Sequence, residues 1–406
     1  MDGGDRRGRS GSGAESLDYP ASPDRPSAPR RAESCDPVPV PVPRAGARSG
    51  RKMAATTAAT TAATTTAMTT AMTTAMTAAL APDAGTTHAA DDAPGRVCPL
   101  RYRYGPQAIA RADVREADTL YVVGGLYGNV PALDAIEAMA RAETRADAPA
   151  PTLCFNGDFN WFDVDDAAFA EINRRVLACD ALLGNVEAEL DTPGDDAGCG
   201  CAYPPSVDSG VVERSNLIHA RLKATAARHP DLLARIARLP MLARYRVADC
   251  RVGVVHGDAE SLAGWRFDVA ALDDPAERPW LGTVFEAADV DLFASTHTCL
   301  PALRRVPTAS GREGCVVNNG AAGMPNFTGD AGGLITRIAT TPSPHPVLEE
   351  VRIAGAWVAL LPVRFDAPRW QRAFLAQWPA GSPAWVSYFE RITRGPAFSP
   401  AQAIGR

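Results

Sequence analysis

Lysine is nearly missing from this chain: Lys52 and Lys223 are the two in 406 residues, and the other basic side chains are arginines. No basic cluster gathers on one predicted face and the formal net charge is −6, so capture of nucleic acid or of an anionic membrane surface is not indicated. No apolar run reaches the roughly 18 residues that a membrane-spanning helix requires. Cysteines number nine, an odd count scattered along the chain, which argues against a disulfide framework. Cys199-Gly200-Cys201 has no second CxC or CxxC to complete a four-thiolate zinc site, so a plain loop with reduced thiols is expected there. These absences together lead to the expectation of a cytoplasmic protein without nucleic-acid or membrane partners.

What is present divides the chain into three parts. Thirty-four prolines and 34 glycines point to long irregular stretches. The first 52 residues are rich in Pro, Gly, Ser and Arg, with PVPVPVPR at 37–44 reading as polyproline-like. Met53–Ala81 contains Ala, Thr, Met and a single Leu, with no charge. A targeting signal ending near Ala79-Leu80-Ala81 would need a leucine-rich core that threonine does not replace. Residues 1–95 are therefore expected to form a disordered low-complexity tail. From about Arg96, hydrophobic strand-like runs (119–124, 151–156, 181–184, 251–255, 290–294, 314–318, 333–339) alternate with helical patterns (130–143, 166–178, 211–228, 231–238). That alternation predicts an α/β domain over 96–345. Residues 346–406 read as one more strand and two aromatic helices. Trp370, Phe374, Trp378, Trp385, Tyr388 and Phe389 recur there at helical spacing, as a packing face does.

The strand ends carry the chemistry. Thr119–Asn129 (TLYVVGGLYGN) is a strand, a glycine loop and the start of a helix, the arrangement that presents groups at the carboxyl edge of a sheet. Later strands run into Asn156-Gly157-Asp158, Gly184-Asn185-Val186-Glu187, His256-Gly257-Asp258 and Thr296-His297-Thr298. Taken singly, Asp158 reads as a turn or helix cap, Asn185 as a turn residue, and either histidine as a satisfied core residue. Placed one residue or so beyond four successive buried strands, they converge on one sheet edge. Their oxygen and imidazole donors suit a divalent transition metal such as Mn, Fe or Zn.

With these motifs in that order (GD, GN, HG, then a late HT), the stretch from about Thr119 to Ile338 resembles the calcineurin-like metallophosphoesterases. The opening LYVVGGLYGNVPALDAI is similar to the first block of the family's small bacterial phosphodiesterases. The resemblance implies an α/β four-layer sandwich, two mixed β-sheets face to face and flanked by helices. It also implies two divalent metals held side by side while activated water attacks a phosphate mono- or diester in line. Asp158 falls on the bridging aspartate, and Asn185, His256 and His297 on the other ligands of the second metal. Asp158, His256 and His297 are then the expected catalytic residues. Gly125, Tyr127 and Cys299 depart from the pattern, standing where the family has the private ligands of the first metal. Val186 stands where many relatives carry the histidine that protonates the leaving group.

One or two divalent ions per chain are accordingly expected, with a small phosphate ester as partner. Tyr127, Cys299, Glu187 and Asp258 are possible auxiliary groups around the ions. Two readings follow: a phosphatase or phosphodiesterase, working with two metals or with a single one, and a catalytically silent module that binds a phosphorylated ligand or a protein.

Overall fold

The computed structural model describes residues 93–144, 149–194 and 196–406. The expectation of a disordered tail concerns residues that lie almost wholly outside these. Twelve strands are present among the described residues. The first six are β1 (Val114–Glu116), β2 (Thr119–Val123), β3 (Thr152–Asn156), β4 (Asp180–Leu182), β5 (Leu242–Val247) and β6 (Cys250–Val255). The others are β7 (Leu292–Ser295), β8 (Pro301–Pro307), β9 (Glu313–Asn319), β10 (Gly333–Ala339), β11 (Glu349–Ile353) and β12 (Ala356–Val363).

They form two six-stranded mixed sheets, ordered β1-β5-β6-β7-β9-β8 and β11-β12-β10-β2-β3-β4. Alternation along each strand explains why the sheets stack. Leu120, Val122, Cys154 and Leu182 point inward from one sheet and meet Val252, Val254, Leu292, Ala294 and Val317 of the other. The intervening residues point outward: Tyr121, Val123, Leu153 and Phe155 pack on Leu133 and Ile136 of the helix Val130–Glu143. On the opposite side Val255, Phe293 and Val316 pack on Leu281, Val284 and Phe285 of the helix Arg278–Ala288. Strands buried on both faces read as continuous hydrophobic runs, and the result is the expected four-layer sandwich of helix, sheet, sheet and helix.

Register delivers the site. β2, β3 and β4 are parallel neighbours, as are β6, β7 and β9. Their carboxyl ends therefore open on one edge, where open α/β sheets place ligands. The helix after β2 is fixed at that edge by Asn129, whose Oδ1 accepts from Ala132 N–H (2.9 Å) while its Nδ2 donates to the Gly323 carbonyl (2.8 Å). Such a cap satisfies a donor that the first helical turn leaves open.

The C-terminal segment both extends and covers this frame. β12 lies between β11 and β10, and Trp357–Val363 pairs antiparallel with Gly333–Ala339. The helices Ala367–Gln377 and Pro383–Arg394 then bring Trp370, Phe374, Trp378 and Tyr388 against Phe162, which lies on the chain leaving Asp158. Phe162 meets Phe374 and Tyr388 edge-on, each at 5.1 Å between centroids, and Trp378 Nε1 donates to the Phe162 carbonyl (3.0 Å). No described helix is long and apolar enough to cross a membrane. Replacing fully buried Phe374 by Ala should cost about 3–5 kcal/mol of unfolding free energy, read from urea denaturation of the full chain.

Candidate metal centre

Asp158, Asn185, His256 and His297 arrive from the ends of β3, β4, β6 and β7 and meet in the interior, where all four are at least nine-tenths buried. His256 Nε2 lies 3.1 Å from Asn185 Oδ1 and 3.3 Å from Asp158 Oδ1. His297 Nδ1 lies 3.0 Å from the same Asn185 oxygen. Each group is oriented by a partner behind it. His256 Nδ1 faces the Asn156 carbonyl at 2.8 Å, and Asn185 Nδ2 donates to the Cys199 carbonyl at 2.9 Å. Val186 N–H donates to Asp158 Oδ1 at 3.2 Å. Trp265 stands edge to the His297 ring at 5.1 Å, and its Nε1 donates to the Cys201 carbonyl (3.1 Å).

With Nδ1–H of His256 committed to a carbonyl, its neutral Nε2 offers a lone pair beside the acceptors Asn185 Oδ1 and Asp158 Oδ1, while His297 Nδ1 faces the same Asn185 oxygen as N–H donor or as lone pair according to its tautomer. Such a cluster needs a cation, a proton or a metal. Burial opposes charge on Asp158 and on His256, but their mutual attraction outweighs it. Asp158 is held below the usual carboxylate range and His256 above the usual imidazole range. Burial, then the charge on His256, push His297 down to about 3. In the metal-free chain the proton therefore resides on His256.

A metal fits the same place. Ligand atoms bonded at about 2.0–2.2 Å in tetrahedral or octahedral geometry stand about 2.9–3.5 Å apart, and the observed separations of 3.0, 3.1 and 3.3 Å fall in that range. Asp158, His256 and His297 are also the His/Cys/Asp/Glu group, among the described residues, whose ligand atoms lie within 4.8 Å of one another. Two of the four clustered residues hold left-handed backbone, Asp158 at φ 54° and His297 at φ 57°, a conformation that persists where the surroundings impose it.

The positions assigned to a first metal are filled by protein. The Tyr127 hydroxyl is 3.1 Å from Cys299 Sγ, whose S–H is 3.3 Å from the His297 carbonyl. Burial, followed by the proximity of Cys299 and Asp158, pushes the Tyr127 phenol well up; burial raises the Cys299 thiol too. In the metal-free chain burial thus favours the protonated form of both. Gly125 completes the exchange: a Cβ there would meet the Tyr127 ring at 2.9 Å, at φ 65°. The tyrosine ring thus lies where an aspartate side chain would need to be.

The auxiliary acids have other work. Glu187 accepts from the N–H groups of Asp158 (2.7 Å), Phe159 (3.1 Å), Asn160 (3.2 Å) and Gly184 (3.2 Å). Burial and then the Asp158 charge push its carboxyl up to about 7. It holds the loop that presents Asp158 rather than facing the metal position. Asp258 accepts from Glu260, Ser261 and Arg266 N–H (2.9–3.1 Å) and shapes the turn after His256. One expectation is corrected: Cys199 and Cys201 are joined as a disulfide, their Cα atoms 5.4 Å apart. Gly200 between them takes φ 66°, which lets the short loop close. Trp265 and Arg391, both at the site, were not anticipated from sequence, because neither follows a strand end.

No family model matches the chain, and no curated protein matches it. Solved structures do. A metallophosphoesterase from Sphaerobacter thermophilus aligns at 19% identity over 68% of this chain and 99% of that one, with a TM-score of 0.41. A hypothetical protein from Pyrococcus horikoshii aligns at 14% over 69% and 99%, with a TM-score of 0.46. A novel archaeal phosphodiesterase aligns at 11% over 54% and 92%, with a TM-score of 0.26. At these identities the likeness concerns the fold alone. The described residues form two six-stranded mixed sheets between helical layers, with the residue cluster at the strand ends.

Because a metal would displace the His256 proton, titrating metal-free protein with Zn²⁺ or Mn²⁺ at neutral pH should release about one proton per ion bound. Calorimetry in buffers of different ionisation enthalpy reads this directly.

Proposed function

We propose that this chain is a metal-dependent phosphoesterase working with a single divalent ion. The observation that carries the reading is the asymmetry of the site. Four oriented donors surround one position, while Tyr127, Cys299 and Gly125 occupy its neighbour without offering a charged ligand. The mixed nitrogen and oxygen donor set suits Mn, Fe or Zn. Bound there, the ion would supply positive charge and Lewis acidity toward a phosphoryl oxygen.

The protein's own part is positional. Asn156 fixes the His256 tautomer, Cys199 fixes the Asn185 amide, and Glu187 fixes the main chain that carries Asp158. Partners of this kind orient ligands and tune their basicity. The substrate is a small phosphate ester.

A second reading has an observation of its own. The Tyr127–Cys299 contact closes the place of a first metal, and Asp158 and His297 are only 6% and 5% exposed. Those features favour a silent phosphoesterase-like module that binds a phosphorylated ligand or a protein.

Elemental analysis with an aryl phosphate mono- and diester screen separates the two. The enzyme reading expects about one metal per chain and turnover lowered at least 100-fold by Asp158→Asn or His297→Ala, a size expected for losing a metal ligand. Full metal occupancy without turnover of any ester would leave the silent module. Gly125→Asp alone should destabilise the chain, because its side chain meets the Tyr127 ring. Combining it with Tyr127→His and Cys299→His should recover stability on metal addition and raise the metal content toward two, measured by thermal unfolding and elemental analysis.

A further inference from the structure

The place vacated by a first metal has a cation beside it. Arg391, on the helix Pro383–Arg394, donates from Nη2 to the Cys299 carbonyl (2.6 Å) and from Nε to the Pro325 carbonyl (3.3 Å). Main-chain carbonyls anchor a guanidinium without cancelling its charge. Among the described residues no carboxylate stands within ion-pair distance of it, and Nη1 makes no hydrogen bond. Its charge is felt at both plug residues, where it opposes the burial that keeps Tyr127 and Cys299 protonated. The side chain is half-buried rather than sealed, and an arginine keeps its charge whatever its surroundings.

Its neighbours explain why it stands there. Tyr388, one turn earlier on the same helix, packs on Phe162 and Trp161, aromatic residues of the loop that descends from Asp158. The aromatic packing thus sets the helix against the site, and Arg391 reaches Cys299 from it. Cys299 in turn contacts Tyr127 and the His297 carbonyl. The charge sits two residues' contacts away from the Asp158–His256–His297 cluster, on the side of Tyr127 and Cys299, where the resemblance places the first metal.

We propose that Arg391 supplies the fixed positive charge of the missing first metal and binds the terminal oxygens of a phosphate monoester. This rests on the phosphoesterase reading of the neighbouring cluster. The substrate class follows from counting oxygens. A guanidinium edge engages two terminal oxygens and the metal position a third. A monoester or inorganic phosphate offers three, whereas a diester has only two. An arginine fork is also the side chain best matched to a phosphate group in geometry and charge.

Calorimetric titration of the full, Mn²⁺-loaded chain with inorganic phosphate and with dimethyl phosphate tests this, with the metal-free chain titrated alongside. Wild type should prefer inorganic phosphate to dimethyl phosphate. Arg391→Gln, which keeps a donor for the Cys299 carbonyl, should weaken inorganic phosphate about tenfold or more and leave metal content unchanged. Arg391→Lys keeps the charge and should lose less than Arg391→Gln. Equal phosphate affinity in wild type and Arg391→Gln overturns the proposal, as does a wild type that binds no phosphate with or without metal. So does a lysine variant as weak as the glutamine one, or a diester bound as well as phosphate. Failure of the phosphoesterase reading shows separately, as absent metal or absent turnover in wild type, whatever Arg391 does to phosphate affinity.

Discussion

The centre of this molecule is an electrostatic demand. Two imidazoles converge on the amide oxygen of Asn185 at 3.0 and 3.1 Å, and the Asp158 carboxylate stands 3.3 Å from His256 Nε2, inside the protein. Lone pairs brought that close in a low-dielectric interior repel strongly unless a cation lies among them. The contacts behind the ligands prevent them from turning away: a carbonyl holds His256, another holds Asn185, and Val186 N–H holds Asp158. The fold therefore maintains a site in which the neighbouring Asp158 charge keeps a proton on His256, at spacings a divalent ion could occupy.

Much of this was legible in the sequence because it depends on one-dimensional regularities. A hydrophobic run followed by glycine and a polar residue marks a parallel strand and its carboxyl end. Asp158, Asn185, His256 and His297 each follow such a run, and parallel pairing places those ends on one edge. The strands that escaped notice have physical reasons for doing so. β8 carries proline at both ends and two arginines, and β11 reads EEVRI. Both are edge strands, where charge and proline are tolerated because one side of the backbone needs no partner. β5 alternates arginine with apolar residues, and its Arg244 is buried through contacts with the Ala110 and Asp289 carbonyls.

What lay beyond sequence reasoning came from distant segments meeting. Arg391 reaches Cys299 from 92 positions away, and Trp265 reaches His297 through a loop without a motif. The Cys199–Cys201 bridge was unexpected for a different reason. Counting cysteines along a chain argues about frameworks that staple separate elements, and says little about a three-residue loop. Here the bridge closes the loop whose carbonyls orient Asn185 and receive the Trp265 indole, so its effect is local to the residue cluster.

Gly125, Tyr127 and Cys299 look like three separate losses along the chain, and in space they are one exchange. The tyrosine ring uses the space that glycine leaves, its hydroxyl finds the cysteine sulphur, and the thiol returns to the His297 carbonyl. In a two-metal site a bridging carboxylate must shield two divalent ions from each other. Here a phenol and a thiol stand together in the place of one ion, and Asp158 faces His256. The charge deficit toward an anionic ligand persists, however, since neither phenol nor thiol is positive. A guanidinium held by two neutral carbonyls at the edge of the plug has the sign, the permanence and the location to meet it. On the proposed reading, the exchange at Gly125, Tyr127 and Cys299 and the arginine from the C-terminal helix belong to one site.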